Sequence, residues 1–226
     1  MAMDAAALAK TIDHTFLGAA GDADAIGKLC REAKECGFAS VCVNPCEVKR
    51  AAELLKGSGV RTCTVIGFPL GQSSTLVKGL EAAYAIGDGA DELDFVVNQR
   101  LLKYDAEACR EELAKLIAIC RKVPGPVSRP APVTKLILEC CNLTEGEIVR
   151  GCRLAQEAGF DFVKTSTGFG RSGARVEDVR LMRETVGPEM GVKAAGGIRD
   201  RETALAMLAA GANRLGTSAG VQIVAG

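Results

Sequence analysis

The sequence has no tryptophan, a single histidine and no C-x-x-C pair. Aromatic residues make up only 4% of it, so the 48% that is hydrophobic must build its core mainly from Ala, Val, Leu and Ile. The lone histidine, His14, argues against catalytic zinc, which usually takes imidazole ligands. The net charge is +0, with 28 basic and 28 acidic residues and no basic block, so a nucleic-acid partner is not expected. No apolar run approaches the roughly 18 residues of a membrane span, and "MAMDAAALAK" lacks a signal-peptide pattern. No membrane partner is expected. Ten cysteines are scattered through the chain. A disulfide framework belongs to small secreted chains, so reduced thiols and a cytoplasmic protein are the expectation.

The 226 residues suit one large or two small domains, and no linker divides them, so residues 1–226 are read as a single domain. A helix-like run ending in Gly and then opening a strand recurs in "KECGFASVCVN", "GDGADELDFVVN", "QEAGFDFVKTS" and "LAAGANRLGTS". With "TIDHTFL", "VRTCTVIGF", "TKLILEC" and "GVKAAGG", eight strand candidates result, centred near residues 13, 41, 64, 95, 137, 164, 193 and 216. Helical periodicity covers 25–36, 46–56, 75–86, 106–121, 147–158, 176–185 and 202–210. Thr144 and Glu147 form a capping box, and Asp22, Asp105 and Asp200 are candidate caps. Near-continuous apolar strands alternating with helices imply a parallel sheet covered on both faces. Eight such units fit an α/β fold of the (β/α)8 TIM-barrel type, with a doubly wound open sheet as its rival. The Pro-rich "KVPGPVSRPAPVTK" reads as a surface loop.

Several charges stand where a buried strand should be apolar: Asp13, Asp94, Glu139, Lys164 and Lys193. Catalytic groups of such a barrel project from the C-terminal ends of its strands. Lys164 and Lys193 fall on successive strands. Two inward ammonium groups would each disfavour charging of the other, and a neutral lysine is a nucleophile toward carbonyls. Asp94 offers a carboxylate for proton transfer. Asp13 and His14 are as compatible with bracing the N-terminal segment by hydrogen bonds as with chemistry, and Asp13 is a candidate support of the barrel interior. Cys42 reads as a small residue facing the barrel interior.

Two Gly-rich strand exits, "AAGGI" and "LGTSAG", follow the seventh and eighth strands, where this fold often holds phosphate on exposed backbone N–H groups. Gly196, Gly197, Gly216 and Ser218 are the candidates, with Thr167 and Gly168 beside them. Ser218 is also a candidate cap for the final helix. "GFPLG" reads as a turn without chemistry.

From "TIDHTFL" to "GTSAG" the chain resembles the deoxyribose-phosphate aldolases, which are class I aldolases. The landmarks are "SVCVNP", "IGFPLG", "GADELDFVVN", "DFVKTSTGF" and "VKAAGGIR". The resemblance implies a lyase that reversibly cleaves 2-deoxy-D-ribose 5-phosphate to D-glyceraldehyde 3-phosphate and acetaldehyde, with neither metal nor organic cofactor. It implies Lys164 as the Schiff-base lysine, Asp94 as the proton-relay carboxylate and Lys193 as the second lysine. Some members carry another lysine after "TSTG". Phe169 stands there in this chain, leaving Arg171 or Arg199 as substitute cations. A transaldolase-like or keto-acid aldolase is the nearest alternative, and a catalytically silent barrel is the alternative from another class. Assembly into a homo-oligomer, dimer or tetramer, is left open by the sequence.

Overall fold

The computed structural model describes residues 3–123 and 131–226. Eight parallel strands close on themselves in chain order: β1 (Ile12–Phe16), β2 (Ser40–Val43), β3 (Arg61–Ile66), β4 (Glu92–Val96), β5 (Val133–Ile137), β6 (Phe162–Lys164), β7 (Gly191–Ala195) and β8 (Arg214–Thr217). The closing pair sets Asp13 opposite Gly216. Closure rules out the open-sheet rival.

The helices form the outer layer: α1 (Ala5–Ala9), α2 (Ala25–Cys36), α3 (Val48–Leu55), α4 (Thr75–Gly87), α5 (Gln99–Tyr104), α6 (Ala106–Lys122), α7 (Glu145–Ala158), α8 (Val176–Val186), α9 (Arg201–Ala209) and α10 (Gly220–Ala225). The capping box of Thr144 and Glu147 is present at α7, and Asp105 and Asp200 cap α6 and α9. Glycines at left-handed φ end α2 (Gly37, 67°) and α7 (Gly159, 87°), where a side chain would be strained. Three local expectations fail. Asp24, not Asp22, precedes α2, and its carboxylate accepts from Arg31 rather than from the helix. The segment from residue 46 opens as a 3-10 turn, Pro45–Glu47, before α3. Ser218 does not cap α10; the Thr217 hydroxyl accepts from the Ala219 N–H at 2.9 Å instead. Of the Pro-rich stretch, residues 124–130 lie outside the described residues, and Val133 already opens β5.

The period of two divides each strand between two environments. Val41, Val43, Leu93, Phe95, Leu136, Val163, Val192 and Leu215 face the helices and join the main apolar core. Inside the barrel, Leu17, Cys42, Cys63 and Val65 form a small apolar cluster with Phe68 packed on it. Next to it the interior carries a cluster of charges. Among the described residues, no helix is long and apolar enough to cross a membrane.

Candidate active site

Asp94 stands in the middle of the barrel, fully buried on β4. Its Oδ1 accepts from Lys135 Nζ at 2.7 Å, and its Oδ2 accepts from both Lys164 Nζ and Lys193 Nζ at 2.8 Å. The register dictates this convergence, because Asp94 lies opposite Lys135, and Lys164 opposite Lys193. Burial alone would push the Asp94 carboxyl up, but the three ammonium groups outweigh it and hold the group well below the usual carboxylate range. Lys193 also meets the Asp13 carboxylate at 2.5 Å. Burial opposes its charge, yet Asp13 and Asp94 together raise its pKa above the ordinary lysine value.

This arrangement differs from the bare two-lysine repulsion expected above. A carboxylate oxygen sits between the ammonium groups, and Lys193 is a retained cation. Lys135 belongs to the same cluster and carries no signal of its own in the sequence. Asp13 is an anion of the barrel interior, where it supports the cluster, and Arg214 grips it from β8. His14, one residue on, points the other way and pairs with Glu32 at 2.8 Å.

Cys42 faces the interior as expected and lies opposite Cys63. The Cys63 thiol donates to Asp94 Oδ1 at 3.3 Å. These two sulfurs and the Asp94 carboxylate lie within 4.8 Å of one another. The ammonium groups packed on Asp94 would repel a metal cation there.

Above the lysine cluster a cleft of about 250 Å³ opens at the C-terminal ends of the strands. Lys164 lines it, as do Thr167, Gly168, Gly196, Gly197, Gly216 and Ser218. Asp94 and Lys193 lie beneath this surface, fully buried. Gly196 has φ +86°, and a Cβ on it would come within 2.9 Å of Gly173 Cα. Only glycine fits that crossing of the loops after β6 and β7, which Ala174 N–H seals by donating to Ala195 and Gly196 carbonyls. Gly216 has a second reason to lack a side chain: its Cβ would sit 3.2 Å from Lys193 Cε.

The Thr167 hydroxyl is partly committed, since it donates to Glu139 Oε2 and accepts from Phe169 N–H at 3.0 Å. Glu139 is therefore a buried brace for the β6 exit loop. Phe169 lines the cleft and stacks edge-on to Phe68 of "GFPLG" at 5.2 Å. Of the two candidate substitute cations, Arg199 lines the cleft, whereas Arg171 donates to the Cys141 carbonyl and does not.

Comparison with known proteins bears on the same stretch of chain. Residues 7–225 match the profile described as DeoC/LacD family aldolase. The chain is 54% identical over 217 residues to the deoxyribose-phosphate aldolase of Brevibacillus brevis, covering 96% of this chain and 95% of that protein. It is 54% identical over 222 residues to the one from Thermococcus gammatolerans, covering 97% and 96%. Among solved structures, it superposes on the deoxyribose phosphate aldolase of Aeropyrum pernix, described as tetrameric, with a TM-score of 0.89 and 33% identity over 98% of this chain and 91% of that one. An aldolase designated QR15 gives a TM-score of 0.88 at 41% identity over 96% and 94%.

Proposed function

Because this chain belongs to the DeoC/LacD aldolase family, we propose that its cleft is the site of a reversible aldol cleavage of 2-deoxy-D-ribose 5-phosphate to D-glyceraldehyde 3-phosphate and acetaldehyde. The observation that carries the reading is Lys164, a buried amine at the floor of an open cleft, 2.8 Å from a carboxylate shared with a second lysine.

The amine of Lys164 adds to the C1 aldehyde, and loss of water gives an iminium. As a base removes the proton from the C3 hydroxyl, the C2–C3 bond breaks and its electrons flow into the iminium, giving an enamine across C1 and C2. D-Glyceraldehyde 3-phosphate leaves. Protonation at C2 and hydrolysis then release acetaldehyde and restore the amine. Asp94, acting through a water, relays these protons with Lys193. Held ionised, Asp94 passes protons rather than storing them. Held charged, Lys193 is the nearby source. The phosphate rests on the glycine backbone at 196–197 and 216 and on the Ser218 hydroxyl. Arg199 supplies the cation at the cleft edge.

The chain works as one catalytic unit, and identical chains assemble as a dimer or tetramer. The tetrameric description of the Aeropyrum pernix relative supports the assembly. Free cysteines throughout the described residues favour the cytoplasm as the working compartment. Incubation with acetaldehyde and borohydride, followed by peptide mapping, tests the reading. We expect a stable adduct on Lys164, and neither adduct nor cleavage in Lys164→Ala. An adduct that maps to Lys193 refutes the assignment.

A further inference from the structure

The charged part of the barrel interior holds one cation more than its anions can balance. Three carboxylates, Asp13, Glu92 and Asp94, face four basic groups, Lys135, Lys164, Lys193 and Arg214, and each of these seven residues is buried. Three of the four cations touch two carboxylates apiece. Arg214 forks between Asp13 and Glu92. Lys135 lies 2.6 Å from Glu92 and 2.7 Å from Asp94. Lys193 lies 2.5 Å from Asp13 and 2.8 Å from Asp94. Among the described residues, Lys164 meets only Asp94, through the oxygen that Lys193 shares.

The other groups facing this space do not change the count. Cys42 and Cys63 face that space as thiols from β2 and β3, and the hydrogen bond with Cys63 pulls the Cys42 thiol below its ordinary value. Burial and the Cys42 thiol push the Cys63 thiol well up, which keeps it protonated. Arg61 reaches Glu92 at 3.3 Å, but its side chain is 55% exposed, so water screens it. Glu139 is spent on the loop after β6, Arg199 lies at the open cleft, and His14 faces α2.

A net charge in so dry a space is costly, and the proton most cheaply removed is the one on the least-paired base. We propose that Arg214 is a positioning residue for the aldol reaction: by completing the pairing of Asp13 and Glu92 at the end of the barrel away from the cleft, it leaves Lys164 as the one base of the cluster with a single, shared carboxylate partner, free to add to the substrate aldehyde. The inference rests on Lys164 being the Schiff-base amine. Arg214 touches no reacting atom and acts through Asp13 and Lys193 on one side and through Glu92 and Lys135 on the other.

Charge parity predicts shifts of opposite sign, which structural damage does not. The measurement is the pH midpoint of borohydride-trapped acetaldehyde adduct on Lys164. Arg214→Met removes a cation, so the midpoint should rise by about one pH unit, the effect of one charge roughly 10 Å away at an effective dielectric of about 20. Glu92→Gln removes an anion and should lower it by a similar amount. The double variant and Arg214→Lys should both return close to the parent. If Arg214→Met does not fold, Glu92→Gln and Arg214→Lys still decide: an unmoved midpoint in the first, or a raised one in the second, overturns the proposal. Shifts of the same sign in Arg214→Met and Glu92→Gln overturn it too. An adduct absent from Lys164 in the parent protein instead removes the catalytic reading on which it stands.

Discussion

Replacing Asp94 by Asn keeps the shape of the side chain and removes the only carboxylate that Lys135, Lys164 and Lys193 share. An amide oxygen can accept from one of them, and the amide NH2 then faces another cation. Breaking a buried ion pair by losing one partner costs about 3–5 kcal/mol, because the other charge is left without compensation. With a urea m-value of about 3 kcal/mol/M for a chain of this size, the unfolding midpoint should fall by about 1–1.7 M at pH 7. Circular dichroism during urea titration measures it. The pH dependence supplies a second check. The Asp94 carboxyl is held below its ordinary range, so its stabilisation is complete above the unfolded value near 3.9 and is lost as pH falls through the lower folded value. Lys193 is shifted upward, so its share is complete below about 10.4 and is lost only as pH rises through the higher folded value. The gap between parent and variant should therefore be flat from about pH 5 to 9 and narrow in acid. A midpoint drop under about 0.3 M, or a gap unchanged at pH 3, would show that the interior pairing contributes little to stability.

Two further outcomes test the phosphate end and the outer layer. Ser218→Asp sets a carboxylate where the phosphate should rest, so KM for the phosphorylated sugar should rise at least about tenfold with the fold intact, a loss of about 1.4 kcal/mol; an unchanged KM removes Ser218 from the site. Lys78 is fully buried between α4 and α6, 2.9 Å from Glu112 and 3.1 Å from the Val96 carbonyl. Lys78→Met should cost about 3–5 kcal/mol in urea unfolding without moving the Lys164 adduct, and adding Glu112→Leu should recover most of that loss.

The barrel was legible because its strands are buried on both faces, so a charge inside one has no solvent to reach. That is why Lys164, Asp94 and Lys193 stand out in the bare sequence. Lys135, Glu92 and Arg214 do not, because each follows a polar residue near the start of its strand (Thr134, Asp91, Asn213) and reads as an entry charge. Asp13 and His14 are neighbours, and alternation says only that they face opposite ways. Which one turns inward depends on the register with β2 and β8. The role of Glu139 was hidden for another reason: it rests on a left-handed backbone, φ 56°, that no pattern of polarity reveals.

That backbone angle places two demands on position 139 that no single residue meets. The conformation suits glycine and costs a branched-out L-residue on the order of 1 kcal/mol. The carboxylate, however, receives the Thr167 N–H and hydroxyl and so ties down the segment that leaves Lys164. Glycine here would relax the main chain, but it would strip the buried Thr167 N–H and hydroxyl of their acceptor, at a cost of roughly 1–3 kcal/mol. Position 139 therefore keeps an uncomfortable backbone as the smaller of two penalties, and the comfort of one residue is traded for the fixed course of another segment.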